Sequence, residues 1–281
     1  VEKDVKLHRQ PGCWLRYPVK SMMGEELNAC EVTEKGFLGD RAYGIIDKET
    51  GRLANAKNPK KWPNMFQYRA SFVEPPQQVD AIPPVRITCP DGTSVIHSAT
   101  EAEDILSRSF QRNVFVGTPS TSDREFEGLI PENVSGLENP GSVFSKAAPA
   151  GTFFDIGMVH IVTTTSLEEL ARRTPGSRIE ARRFRPNLIL NVENGESFEE
   201  NSWVGKTLSI GNEVKLKIVQ NTKRCIMTTL PQGDLPNDLN VLRSAVKEND
   251  GNIGIYANVL QSGTIHIGDR VTIDGVTNAS S

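Results

Sequence analysis

Hydrophobic positions in this chain mostly alternate with polar ones or form short apolar runs bounded by glycine, proline and asparagine, the spacing of strands rather than of long helices. Residues 13–20 read as an extended stretch bent or edged at Pro18, followed by strands over 27–33 and 42–47. Thr50-Gly51 closes a turn into 53–55, and Phe66, Tyr68 and Phe72 mark a strand over 65–73. Strands over 85–88 and 94–97 flank Asp91-Gly92, a hairpin turn. Ser98 and Glu101 predict a capping box ahead of a helix over 99–110, and 113–117 reads as another strand. Between Thr118 and Thr152 the period dissolves into Ser, Pro, Gly and Glu, which predicts a long loop joining two modules.

The pattern resumes as a strand over 158–165. Ser166 and Glu169 form a second capping-box pattern, opening a short helix with Leu167 and Leu170 inward. A strand over 187–192 follows, then strands over 206–210 and 214–219 around Gly211-Asn212. Asn237 is placed to cap a helix presenting Leu239, Leu242 and Val246 on one face and ending at Gly251. Strands over 253–260 and 264–273 meet across Ser262-Gly263. Many short strands with few helices point to barrels or sandwiches rather than a doubly wound sheet. The chain shows no internal repeat and no dinucleotide, Walker or kinase fingerprint.

Composition narrows this further. The 281 residues suffice for two modules, and 37% hydrophobic with 24% charged residues describes a soluble globular chain. No apolar run approaches the ~18–20 residues of a membrane span. Lysine plus arginine number 32 against 35 acids, a net charge of −3 that argues against a nucleic-acid binder but leaves room for a local basic pocket. The cysteines at 13, 30, 89 and 225 are too far apart for a C-x-x-C metal pattern and are sparse enough to suit a reducing compartment. The chain opens at Val1 rather than methionine, so an upstream targeting segment stays open.

Three clusters can carry chemistry. Tyr17-Pro18-Val19-Lys20-Ser21, followed by Gly39-Asp40-Arg41, sets a lysine, a hydroxyl and an arginine at strand ends, either to converge on a phosphate or as solvated surface cations. Arg182-Arg183-Phe184-Arg185-Pro186-Asn187 leads cations and an amide into an apolar strand, either to hold an anion or heterocycle edge or as a solvated charge run. In Lys223-Arg224-Cys225 two cations precede a cysteine at a strand end. That predicts a lowered thiol pKa and a nucleophile or soft-metal ligand, with a buried structural thiol as the alternative. Asp155, after Phe153-Phe154, reads as a turn residue or an acid behind a site. His8, His97, His160 and His266 are dispersed, and His160 and His266 read as packing positions.

Taken together, YPVKSMMG at 17–24, GFLGDRAYGIID at 36–47, TTTSLEEL at 163–170, RFRPNLIL at 183–190, KRCIMTTL at 223–230 and SGTIHIGDRV at 262–271 resemble the MOSC family, the fold of the molybdenum-cofactor sulfurase C-terminal domain, and within it the amidoxime-reducing component lineage. The resemblance implies a mainly β chain with a few helices, an N-terminal barrel-like module over 1–117, a connecting loop over 118–152, and a MOSC β-barrel over 153–275 packed against the first. It implies Mo-molybdopterin between them. Cys225 falls on the family's metal-binding thiolate. Lys20, Ser21 and Arg41 fall on positions that hold the pterin and its phosphate, and Arg185 and Asn187 on the cofactor-contacting arginine and asparagine. Asp155 aligns with an acid near the metal, able to accept or donate a substrate proton, and Thr163 and Ser166 align with further cofactor contacts. Lys223 stands where close relatives carry a small hydroxyl residue, and Met22 where they carry cysteine; the first bears on substrate range and the second on packing.

The implied activity is reduction of N-oxygenated compounds such as hydroxylamines and amidoximes. With no closely spaced cysteines and no glycine-rich fingerprint, electrons are expected from a separate partner, a cytochrome b-type haem protein with its reductase or a ferredoxin system. The contrasting reading is a carrier that holds persulfide on Cys225 or hands over cofactor. The expected location is cytoplasmic, with outer mitochondrial membrane anchoring if a segment precedes Val1.

Overall fold

The structure, a computed structural model, describes residues 5–7, 15–119, 124–192 and 195–274. His8, Cys13 and the opening of the 13–20 stretch lie outside them.

Seven strands close into a barrel in the order Val5–Leu7, Leu188–Val192, Val159–Thr163, Asn252–Gln261, Val214–Lys223, Thr207–Ile210 and Arg270–Ile273, which returns to the first. Strand Val214–Lys223 shows the rule of construction: Val214, Leu216 and Ile218 point inward at 1% exposure or less while their neighbours face out. The inward set, with Val159, Ile161, Leu188, Leu190, Leu208 and Ile255, fills the barrel, each large side chain contributing roughly 1.5–3 kcal/mol of apolar burial. Only Val159–Thr163 and Leu188–Val192 run parallel, and helix Thr164–Arg173 makes the crossover that parallel pairing demands.

The N-terminal module is built from smaller sheets, Arg69–Phe72 with Val85–Thr88 and Ser94–Ile96, and Gly44–Asp47 with Val114–Gly117. Helix Ala102–Phe110 closes it, burying Leu106 and stacking Phe110 on Tyr68 at 4.2 Å. The expected architecture, a barrel-like N-terminal module packed on a C-terminal barrel, therefore holds. The modules are also stitched together. Val5–Leu7, from the chain start, closes the C-terminal barrel, and Gly263–His266 leaves that barrel to pair with Ala29–Thr33.

Several local expectations change. The stretch 118–152, read as a loop, contains the hairpin Glu125–Leu129 with Val143–Ala147. Phe126 anchors it against Ile46, Leu53 and Phe153, and Glu125 and Glu127 pair with Arg52. Its outer strand buries none of its side chains and so shows no alternation to read. Residues 65–67 form a 3-10 turn instead of beginning a strand, because Asn64 adopts a left-handed φ of 59°. The Ser98 capping box does not form: Glu101 is the N-cap and makes no side-chain bond. Thr163, not Ser166, caps the second helix, accepting from the Ser166 N–H at 3.2 Å, and Asp238, not Asn237, caps helix Leu239–Asn249. The 264–273 strand divides into Gly263–His266 and Arg270–Ile273. Among the described residues no helix is long and apolar enough to cross a membrane.

Candidate functional site

A cleft of about 750 Å³, open mouth included, lies where the modules meet. Six cations and a single carboxylate line it among the described residues: Lys20, Arg41, Lys57, Arg185, Lys223 and Arg224 around Asp155. The local basic pocket left open by the overall acidic balance is therefore present.

The N-terminal wall is set by backbone geometry. Val19 bridges Tyr43, and the Lys20 and Arg41 amides donate to Tyr43 O and Tyr17 O at 2.9 and 2.7 Å. Ser21, Arg41 and Arg185, all lining the cleft, have φ of 62°, 50° and 55°, left-handed values that are unfavourable for residues with a side chain. Each is fixed from outside. The Ser21 hydroxyl accepts from the Ala56 N–H at 3.1 Å, Arg41 pairs with buried Asp40, and Arg185 Nη1 donates to Met22 O at 2.7 Å. Met22 itself is fully buried in the N-terminal core, the packing role expected of it.

Asn187 stands behind this wall and does not line the cleft. Its Nδ2 donates to Asp40 Oδ2 at 3.0 Å and to Leu15 O at 3.1 Å, and its Oδ1 accepts from the His160 N–H at 3.0 Å. Through Asp40, and by accepting from Arg41 Nη1 at 3.5 Å, it holds Arg41, so its place in the site is positional.

The arginines of 182–185 part company. Arg182 pairs at the surface with Glu180 and Asp234, the solvated role. Arg183 is fully buried and donates to the carbonyls of Arg178, Thr228 and Pro236, tying down the turn after Cys225. Arg185 enters the cleft, its guanidinium 4.0 Å from the Tyr17 ring centroid, and burial lowers its pKa to about 10. Its Nη2 is buried without a partner, as is Nε of Arg224. Arg224 Nη2 donates to Phe184 O at 2.7 Å and Nη1 to His160 Nε2 at 3.2 Å, so the other ring nitrogen of His160 faces Arg185 O as donor. Burial and Arg224 push the His160 pKa far down, keeping the ring neutral. His160 is thus a satisfied packing residue, as its alternating context predicts.

Asp155 sits between two lysines: Lys20 Nζ is 2.8 Å from Oδ1 and Lys57 Nζ is 3.0 Å from Oδ2. Burial works to raise its pKa, but the two cations override it and hold the carboxyl far below the carboxylate range. Burial lowers Lys20 to about 8, with Asp155 opposing. Lys20 Nζ also donates to Phe153 O at 2.6 Å.

Cys225 follows strand Val214–Lys223, whose pairing is offset by bulges at Ile218/Gln220 and Asn221/Lys223, and it caps the 3-10 turn Ile226–Thr229. Its carbonyl accepts from the Thr228 N–H and hydroxyl at 3.2 and 3.1 Å, which fixes the backbone while the free, half-buried thiol lines the cleft. Lys223 sits at the rim with an exposed pair to Asp250.

Thr163 and Ser166 lie elsewhere. Both are fully buried and donate to Glu200 Oε2 at 2.9 and 2.6 Å, inside the C-terminal domain. Glu200 is itself fully buried, and desolvation raises its pKa. The cleft therefore gathers Lys20, Ser21, Arg41, Asp155, Arg185 and Cys225, keeps Asn187 one layer behind, and leaves out Thr163 and Ser166. Sequence reading missed Lys57 and Tyr256 and did not single out Arg224. Arg224 stood next to Cys225 in a noted cluster, whereas Lys57, in a run that reads as surface lysines, carried no local signal.

The donor set fits an anionic, metal-bearing group. Two buried guanidinium N–H groups of the cleft, on Arg185 and Arg224, lack acceptors, and a buried cationic donor left unpaired is costly unless a ligand completes it. No group of three or more His, Cys, Asp or Glu side chains could hold a metal among the described residues, so a metal here would take one thiolate from the protein and its other ligands from the group that carries it.

Residues 14–121 match the family described as MOSC N-terminal beta barrel domain, and residues 152–272 match the MOSC domain. No curated protein matches the chain. Among solved structures it is similar to the YUAD protein from Bacillus subtilis, at 12% identity over 97% of both chains with a TM-score of 0.47. It is also similar to YiiM from Geobacillus stearothermophilus, at 20% identity over 42% of this chain and 54% of that one with a TM-score of 0.33, and to YiiM from Escherichia coli, at 15% over 58% and 69% with a TM-score of 0.33.

Proposed function

We propose, from the premise that this chain joins a MOSC N-terminal beta barrel domain to a MOSC domain, that its cleft holds molybdenum cofactor and that the protein reduces N-oxygenated compounds such as hydroxylamines and amidoximes. MOSC domains are associated with molybdenum-cofactor binding. The observation that carries the reading for this chain is the pair of unpartnered guanidinium donors, Arg185 Nη2 and Arg224 Nε, in the cleft that also holds the free Cys225 thiol.

The Cys225 thiolate would bind the metal as a soft ligand. Arg185, Arg224, Arg41, Lys20 and Ser21 would hold the phosphate and pterin, charge-assisted bonds being the strong kind and arginine's fork matching phosphate oxygens. Asn187 acts through Asp40 to keep Arg41 in place. When bound, the cofactor supplies two-electron oxygen-transfer chemistry at its metal. Asp155, held ionised between two lysines, orients them and accepts hydrogen bonds, and neither gives nor takes up a proton at neutral pH.

Electrons come from a separate carrier in this reading, docking weakly and electrostatically. The test is reduction of benzamidoxime and N-hydroxylated amines by cofactor-loaded protein, with reduced viologen as donor. Turnover supports the reading, with NADH consumption appearing only once a haem-protein or ferredoxin system is added. Viologen-driven failure in a metal-loaded sample would favour a carrier that holds persulfide on Cys225.

A further inference from the structure

The cleft is rich in charged groups but poor in neutral donors. Lys20 and Lys57 are both engaged with Asp155, and the unpaired N–H groups of Arg185 and Arg224 suit an anion. His160 Nε2 accepts from Arg224 and Asn55 Nδ2 donates to Glu127 O, while the Ser21 hydroxyl accepts from the Ala56 amide and is assigned above to the phosphate and pterin. Tyr256 remains. It lines the cleft with Cys225, and its hydroxyl has no hydrogen-bond partner among the described residues.

Its ring is well fixed. Tyr256 is the cross-strand partner of His160, and the two rings lie 5.2 Å apart at 44°. On its other side passes the backbone after Asp155. A Cβ on Gly157 would lie 2.7 Å from Tyr256 Cβ, so only glycine lets that segment run so close. The charges of Asp155, Arg224, Lys57 and Arg41 all act on the phenol, and burial, with Asp155, raises its pKa. The hydroxyl is thus kept protonated as a hydrogen-bond donor at neutral pH.

Resting on the reading above, we infer that Tyr256 is a substrate-contacting residue whose hydroxyl donates a hydrogen bond to the oxygen of an N-oxygenated ligand and so distinguishes it from the deoxygenated product. The phenol shares the cleft with the cationic groups, and half-exposed Ile156 and Met227 border it too, offering apolar surface to the rest of such a molecule.

The experiment uses cofactor-loaded wild type and Tyr256→Phe, each checked for metal content and thermal midpoint. Calorimetry in the oxidised state, where no turnover occurs, measures binding of benzamidoxime and of benzamidine, which lacks the oxygen. Loss of one net hydrogen bond should weaken benzamidoxime binding about threefold to tenfold in Tyr256→Phe. Benzamidine binding should stay the same, and kcat/KM for benzamidoxime should fall by a similar factor. Equal discrimination between the two ligands in both proteins overturns the inference, as does loss of cofactor from Tyr256→Phe, which would place the phenol in the cofactor cradle. If the wild type binds with Tyr256-dependent discrimination yet reduces nothing, the reductase reading fails and the contact stands.

Discussion

The Nζ of Lys20 in the N-terminal module lies 2.8 Å from Oδ1 of Asp155 in the C-terminal half, an ion pair of a buried ammonium and a quarter-exposed carboxylate that spans the two modules. Lys57 closes on the other carboxylate oxygen, so one acid balances two ammonium groups. Asp155→Asn would leave two like charges facing a neutral amide. Breaking a fully buried pair on one side costs about 3–5 kcal/mol, and with this carboxylate a quarter exposed a loss at or below the lower end is expected at neutral pH by denaturant unfolding. A loss below about 1 kcal/mol would mean the lysines find other partners.

The same group predicts a pH signature of defined sign. The folded pKa of Asp155 lies below its unfolded value, so the unfolded state binds the proton first. Its contribution is present above about pH 4 and is lost as the medium becomes more acidic. Lys20 is lowered to about 8, so above that pH the unfolded chain holds a proton that the folded chain has released. Stability should then rise between about pH 8 and 10 relative to Lys20→Met, read as the difference between two unfolding curves. A flat difference across that window would contradict the assigned burial of Lys20.

Ser166→Ala separates two roles for the Thr163–Ser166 pair. Both hydroxyls are spent on Glu200 inside the domain. The variant should lose about 1–3 kcal/mol of stability, the cost of leaving a buried acceptor short of a donor, while retaining cofactor like the wild type. Cofactor loss from a stably folded variant would restore the contact that the family resemblance implies.

The fold was largely legible because its strands bury one face each. Val214, Leu216 and Ile218 announce a barrel strand by period alone, and Asp91-Gly92 announces its hairpin. The hairpin at Glu125–Leu129 was not legible, since its partner strand fully buries no side chain and the hairpin is held mainly by Phe126, with Leu129 buried and Phe144 partly packed beside it. In the site, Cys225 and Arg185 were visible as residues but not in their surroundings. Asn187 could be placed near the cofactor but not behind Arg41, because that position depends on Asp40, 147 residues away. Lys57 was invisible for the same reason: its partner Asp155 is brought to it only by the packing of the modules.

Cofactor retention should depend on the cleft cations and not on the other thiols. Arg185→Ala and Arg41→Ala each remove a charge-assisted contact, about 1.5–3 kcal/mol, which corresponds to roughly tenfold or more in cofactor affinity. Cys89→Ser, buried in the N-terminal core and not lining the cleft, and Cys13→Ser should retain cofactor as the wild type does. Equal retention in all four variants would remove the case for a phosphate pocket.

The most direct test of the central claim is molybdenum content, together with fluorescence of the released oxidised pterin, on wild type and Cys225→Ser purified from a cofactor-producing host. Since the thiol is half-buried and free, the variant should unfold within about 0.5 kcal/mol of the wild type. The account predicts near-stoichiometric metal and pterin in the wild type and a severe loss of metal in Cys225→Ser. A wild type that carries neither, or a variant that keeps its full metal, would contradict it.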